Sequence, residues 1–398
     1  MKIGPLKVEH NENGSRTCAS SLIEWEGGHH NLSFSVNNDF ADGIVQDRLD
    51  AFVVCAIFRA MHEGEDVEVH GCMSAKLHYN LKHYWMPLVQ GLWPHLKIVN
   101  IDAEQLTTSA PRASGVATGY SAGIDSFAVL YDHLYNEPPA GYRLTHFLFN
   151  NVGSHGGHTD HTELFQARLA EIRPLADRKG IPIIDVDSNL GDLIPLSFEN
   201  THPARNAAVP LLLQGIIGRW YYASSYHYAD HDIPNAVELC DLDPVMVHLY
   251  STEQLDCILS GAQYTRVKKT QLVSTLPDSY SLLNVCAGGD RALEAGGGNC
   301  STCRKCLRTL FTLELQNNLE NYEQVFDMGV YRAHRWRFLL FILIEPTDHF
   351  NKEFLEYIKD TDFKFPLHIR LVGTLARPFG RLLRQADAAI RKAKRSRA

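Results

Sequence analysis

Four cysteines and one short loop have the residue types and spacing that chemistry requires. Cys300-Ser-Thr-Cys303-Arg-Lys-Cys306 is a C-x2-C-x2-C run, and Cys286 precedes it across thirteen residues that include five glycines. Three closely spaced thiolates, with a fourth returning over a glycine-rich loop, suit a closed tetrahedral zinc site. Such a site is structural, because its binding energy ties two chain segments together. The same four ligands suit an iron–sulfur cluster. Free thiols at a helix start are the plain alternative.

The loop reads Tyr120-Ser121-Ala122-Gly123-Ile124-Asp125-Ser126. The pattern predicts a strand ending at Tyr120 and a helix beginning near Asp125. Ser121, Ala122 and Gly123 are small, so the backbone can pass close to a ligand. Successive N–H groups and a helix N-terminus then suit an anion. Ser121 and Ser126 add hydroxyls. Asp125 is placed to cap the helix or to help hold a metal that accompanies phosphate. The loop is not a Walker A element, because Gly-Lys-Ser/Thr is missing. Its plain alternative is an ordinary strand–turn–helix junction.

Pro203-Ala204-Arg205-Asn206 is read as the opening of a long helix over Ala204–Ala223, with Pro in the first turn. Arg205 would then grip phosphate or carboxylate from the helix N-terminus. His155, His158 and His161 cluster in a Gly-containing loop. Their spacing is poor for a preformed metal site, and they read as solvated. Tyr226-His227-Tyr228-Ala229-Asp230 follows the helix read over Ala204–Ala223.

Alternating strands and helices must position these groups. Strands are expected at Ala117–Tyr120, Leu144–Asn150 and Ile181–Val186, with helices from Phe127 and over His161–Lys179. That order means βαβ crossovers and a doubly wound parallel sheet, with ligands at the carboxyl ends of its strands. Upstream, strands at Asn31–Val36, Asp66–His70 and Lys97–Ile101 and helices at Arg48–Glu63 and Leu77–Leu92 suggest a separate α/β module. The expected division is therefore 1–110 as that module, 111–315 as the domain carrying the loop and the four cysteines, and 316–398 as a helical extension with a basic tail.

The loop resembles the SGGxDS signature of the PP-loop ATP pyrophosphatases, with Ala122 where that family usually has a second glycine. The resemblance implies a HUP-type α/β fold and a loop that holds ATP, cleaved between its α and β phosphates to adenylate a substrate oxygen. Tyr120 to Ser126 would then hold the nucleotide together with Asn206, because Pro203–Asn206 matches the family's P-x-R-N element. Arg266-Val-Lys268-Lys269 resembles its K-x-x-I/L-V helix start, which makes Lys269 the active-site lysine beside Asp125 and Arg205. Residues 226–230 fall where the PP-loop family varies with substrate, so the resemblance puts substrate specificity there. The cysteine pattern is similar to the 7-cyano-7-deazaguanine synthase branch, whose members bind structural zinc. These likenesses imply an AMP- and pyrophosphate-forming enzyme of the ligase or amidotransferase kind, using ATP, Mg²⁺ and Zn²⁺ with a small-molecule acceptor. The alternatives are a deazaguanine nitrile synthase or deazaguanine-attaching relative, a tRNA sulfur transferase, and a nucleotide-binding protein without turnover.

Composition limits the rest. The 398 residues are 45% hydrophobic and 21% charged, enough apolar material for a full core. No apolar run approaches the ~20 residues that span a bilayer, and the candidate Phe338–Ile344 is a buried-helix length. The N-terminal residues lack the apolar stretch of a signal peptide. Nine cysteines, an odd number, read as reduced thiols, so a cytoplasmic location is expected. Net charge is −8, which argues against nucleic acid as partner. From Arg370 onward, however, nine Lys and Arg face one acid, Asp387, a net of +8. Docking of a protein or an anionic surface would fall on that tail. A homodimer is a further open expectation.

Overall fold

The computed structural model describes residues 1–10, 14–109, 111–153, 162–286, 298–378 and 380. It is an α/β structure whose main sheet is mostly parallel. Two compact units divide the chain. One comprises Met1–Tyr120, Asp132–Ser225 and His231–Ser260; the other comprises Ser121–Tyr131, Tyr226–Asp230 and Gly261 onward.

The first unit contains eleven strands: β1 Lys2–Ile3, β2 Lys7–His10, β3 Arg16–Trp25, β4 Gly28–Asn37, β5 Val67–Ser74, β6 Ile101–Thr107, β7 Gly115–Gly119, β8 His146–Asn151, β9 Ile183–Ser188, β10 Ile217–Ala223 and β11 Asp256–Ser260. They form one sheet in the order β11-β10-β7-β8-β9-β4-β3-β1-β5-β6, with β2 on β3. Strands β11 to β9 pair in parallel, as do β1, β5 and β6. The β3–β4 hairpin joins the two parallel blocks. It turns at Glu26-Gly27, with Trp25 opposite Gly28. Every second residue of β3 (Thr17, Ala19, Ser21, Ile23) is buried, as are Leu32, Phe34 and Val36 of β4, the period-2 pattern of a half-buried strand. Strand β4 pairs antiparallel with β9, Val36 opposite Val186. Across that seam the Arg16 guanidinium pairs with Asp185 and donates from Nε to Ser35 Oγ at 2.7 Å.

Residues 1–110 thus share one sheet with the strands that follow, and no boundary falls near 110. The helix Asp50–Glu63 is almost wholly buried and packs on the helix Phe198–Leu212. Most expected elements are present with edges moved by a few residues, though the strand read at 97–101 is instead Ile101–Thr107.

The reading of Ala204–Ala223 as one helix is corrected. The helix is Phe198–Leu212, capped by Ser197, whose Oγ accepts from Asn200 N at 3.3 Å. Its continuation is strand β10. Gly215 and Gly218 interrupt the helical pattern, and Ile-Gly-Arg-Trp-Tyr-Tyr-Ala then has strand chemistry. At Gly218 a Cβ would lie 1.9 Å from the Ala113 carbonyl oxygen, so only glycine allows this approach of the backbone.

The second unit is mainly helical: Ile124–Leu130, Arg266–Val273, Arg304–Leu315, Met328–Ile344, His349–Ile358 and a helix over 367–378. Phe338 meets Phe311 and Phe354 edge to face in its core, and the three ring centroids lie 5.3 to 5.8 Å apart. No helix among the described residues is long and apolar enough to cross a membrane.

Candidate functional site

The loop lies in the second unit from Ser121 onward. Ala122 adopts a left-handed conformation, φ +56°, at the position where glycine is expected. A non-glycine residue there costs about 1–2 kcal/mol. Its carbonyl accepts a hydrogen bond from Asn284 N at 2.9 Å. Ser121 is exposed and Ile124 is buried. Ser126 is buried and its hydroxyl donates to the Gly123 carbonyl at 2.9 Å, so that proton serves the loop itself. Tyr120, the last residue of its segment of the sheet unit, is a core residue stacked on Phe147 at 4.8 Å. The helix start is Gly123, without a side-chain cap. Asp125 is therefore free of a capping role and turns to other partners.

Those partners come from the Arg266–Val273 helix, capped by Thr265. Positions 266 and 269 share one face at i, i+3. Lys269, buried, donates from Nζ to Asp125 Oδ1 at 2.9 Å. Arg266 Nη2 lies 2.8 Å from Asp125 Oδ2. Burial alone would raise the Asp125 carboxyl; the Arg266 and Lys269 charges outweigh it and hold the group below the usual carboxylate range. Burial lowers Lys269, with Asp125 opposing.

Two further cations stand on the Arg304–Leu315 helix. The Arg308 guanidinium lies 3.5 Å from the Phe350 ring centroid, and Arg266 lies 5.6 Å from the same ring. Burial, and then repulsion from Arg266, pushes Arg308 down to about 10. Lys305 is held below the usual ammonium range by desolvation of its charge first, then by Arg266. Tyr226, from the segment expected to set specificity, stacks on Phe350 at 6.0 Å. Glu353 accepts from Val267 N at 3.1 Å, and burial raises its carboxyl to about 7. Sequence reasoning left Arg266, Lys305 and Arg308 unassigned. The signal available was the i, i+3 spacing of Arg266 with Lys269 and the basic residues interleaved with the cysteines.

The four cysteines converge. Their sulfurs all lie within 4.8 Å of one another, with Cys286 Sγ 4.0 Å and Cys306 Sγ 3.5 Å from Cys303 Sγ. Tetrahedral bonds of about 2.3 Å place thiolates roughly 3.8 Å apart, so the quartet could hold a metal ion such as zinc. Ser301, φ +55°, turns the chain tightly between the first two ligands of the run. Cys303 N donates to Cys300 Sγ and Cys306 N to Cys303 Sγ, at 3.3 and 3.5 Å. The hydrogen bond with Cys306 is the chief cause that holds Cys303 down to about 4. Asn299 fastens the surroundings: its Oδ1 accepts from Val285 N at 2.8 Å, and its Nδ2 donates to the carbonyls of Leu283 and Val325.

Arg205 and Asn206 lie in the sheet unit with partners of their own. Both sit in the third turn of their helix, Phe198–Leu212, so the expected placement at a helix N-terminus does not hold. Arg205 is buried, donating to Thr201 Oγ1 (2.7 Å) and to the carbonyls of Leu196 (2.8 Å) and Val152 (3.3 Å). Asn206 donates to the His202 carbonyl and accepts from Asn150 Nδ2. These contacts fix loops around the helix. His155, His158 and His161, most of the glycine loop after Cys286, and the tail beyond 380 lie outside the described residues.

Compared with family models, characterised proteins and solved structures, the chain matches none.

Proposed function

We propose that this protein is an ATP-dependent enzyme that forms AMP and pyrophosphate, as the resemblance of its loop to the PP-loop ATP pyrophosphatases implies. The observation that carries the reading is the convergence of Lys269 and Arg266 on Asp125 of the loop, with Arg308 and Arg266 both held on the Phe350 ring. Two guanidinium groups held on one aromatic ring, beside a buried ammonium, repel one another, and a bound polyphosphate would relieve that repulsion. This is preorganised stabilisation of charge on a leaving group.

In the proposed reaction a carboxylate or amide oxygen of the acceptor attacks the α-phosphorus. The bond from that phosphorus to the α–β bridging oxygen breaks, and pyrophosphate leaves with the electron pair. Ammonia or another nucleophile then attacks the activated carbon and expels AMP. Lys269 and Arg266 neutralise the departing pyrophosphate, Arg308 and Lys305 extend the same cationic surface, and Ser121 and Gly123 border the phosphates. Both Asp125 oxygens already face cations, so Mg²⁺ is assigned to the phosphates and Asp125 to orienting Lys269. The metal of the four-cysteine site is read as zinc with a structural task. Sulfurs within 4.8 Å of one another support that reading.

The test is pyrophosphate release from ATP across a panel of carboxylic acids and amides with ammonia supplied. Release that requires an acceptor and is lost in Asp125→Ala supports the reading. ATP binding without release across the panel would favour a nucleotide-binding protein without turnover.

A further inference from the structure

The helix over 367–378 shows two faces. Ile369 and Gly373 are buried, and a Cβ at Gly373 would lie 2.7 Å from Leu343 Cβ. The glycine thus lets this helix sit directly on the end of the Met328–Ile344 helix. That seat fixes what points outward. Leu367, Leu371 and Leu375 are 71, 57 and 74% exposed, and Val372 is 49% exposed. At i, i+4 and i+8 the three leucines form one stripe. Lys364, His368, Arg370 and Arg377 are exposed around them. An aliphatic stripe of this kind, held outward by packing on its other side, marks a surface that meets an apolar phase.

We propose that this helix is a docking surface for an anionic lipid bilayer, lying in the plane of the headgroups with its leucines in the acyl boundary. Charge selects that occupant. The residues from Arg370 onward carry a net of +8, which an anionic leaflet attracts. A second copy of the chain would bring a second Arg370 and Arg377 to the same face and be repelled. A nucleic acid would use aromatic side chains for stacking, whereas the exposed stripe is aliphatic. The combination of leucines with flanking arginines is that of an interfacial amphipathic helix.

The experiment is co-sedimentation of the full chain with vesicles of phosphatidylcholine alone, or with about one third phosphatidylglycerol. Partitioning at least about tenfold stronger to the anionic vesicles is expected, weakening as salt rises. The double substitution Leu371→Gln and Leu375→Gln leaves the charge unchanged and should weaken partitioning at least about tenfold, with the circular dichroism spectrum retained. Arg370→Gln with Arg377→Gln should weaken it as well. Four outcomes overturn the proposal: no partitioning, partitioning indifferent to the leucine substitutions, tighter binding to a single-stranded RNA than to the vesicles, or a dimer in sedimentation that the leucine substitutions dissociate.

Discussion

The carbonyl of Ala122 accepts a hydrogen bond from Asn284 N at 2.9 Å, two residues before Cys286 of the four-cysteine cluster. The small-residue loop is therefore pinned by the segment that the four-cysteine site anchors. On the other side of that site, Cys303 caps the helix that carries Lys305 and Arg308. The four-cysteine cluster thus adjoins both the segment that holds the loop and the helix that carries two of the cations.

The first prediction concerns the lysine. Lys269→Ala should lower pyrophosphate release by roughly 10²–10³-fold, the scale of losing one preorganised charge at a transition state. Lys269→Arg should restore little of it, because a buried ammonium is replaced by a planar fork. Steady-state kinetics at saturating ATP checks this.

Metal removal should act on the loop at a distance. Cys303→Ser, or prolonged treatment with a strong chelator, should release one zinc per chain by elemental analysis and lower thermal stability. Affinity for ATP should fall with it, since the Asn284 contact and the helix bearing Arg308 lose their anchor. Fluorescence titration with a nucleotide analogue reads that loss.

Ala122 gives a test of the loop conformation itself. Because its φ is +56°, Ala122→Gly should stabilise the fold by about 0.5–1 kcal/mol through relief of the left-handed penalty, less the entropy glycine adds to the unfolded chain. Unchanged or reduced stability in denaturant melts would mean that the residue is not held left-handed in solution.

Arg205→Met should destabilise rather than specifically inactivate. It removes the donors to Val152, Leu196 and Thr201 and leaves buried acceptors unsatisfied, a cost of roughly 2–4 kcal/mol. The rate per folded molecule should stay within a few-fold of the parent. A large loss of rate at full stability would instead make Arg205 a nucleotide ligand.

Glu353 gives a pH signature. Its carboxyl is raised from the ordinary carboxylate range to about 7 by burial first, then by Asp230. The folded state thus binds the proton more tightly than the unfolded chain. Stability falls as pH rises through the interval from the ordinary value to about 7, and the penalty is complete above it. Glu353→Gln keeps an acceptor for Val267 N and removes the charge. Its advantage over the parent should be near zero at pH 4 and grow to roughly 1–3 kcal/mol at pH 8. Melting curves across that range decide the matter.

Much of the fold is legible in the sequence because periodicity reports burial directly. The strands around Leu144–Asn150 and Ile181–Val186 and the helix Asp50–Glu63 need no tertiary information to be located within a few residues. Strand β10 is not legible, because Pro203 reads as a helix start and apolar residues continue past Gly215, so strand and helix compete for the same run. Strand β3 also escapes, since Thr17 and Ser21 make its alternation small and polar, whereas Asn31–Val36 of β4 is legible. The pairing of β4 with β9 joins residues about 150 positions apart, and Arg16 and Asp185, which meet across it, are 169 positions apart.

The sequence by itself determined the chemistry available: four thiolates at ligand spacing, a small-residue loop, a carboxylate within it, and a positively charged C-terminal stretch. Spacing constrains such features over a few residues, where chain geometry leaves little freedom. Only the tertiary structure decided which charges meet. Lys269 is 144 positions from Asp125 and closes an ion pair with it, while Arg205, equally plausible in sequence, is directed to backbone carbonyls. A guanidinium within a buried helix must satisfy its donors with whatever acceptors the packing supplies, and that packing is set by the whole chain.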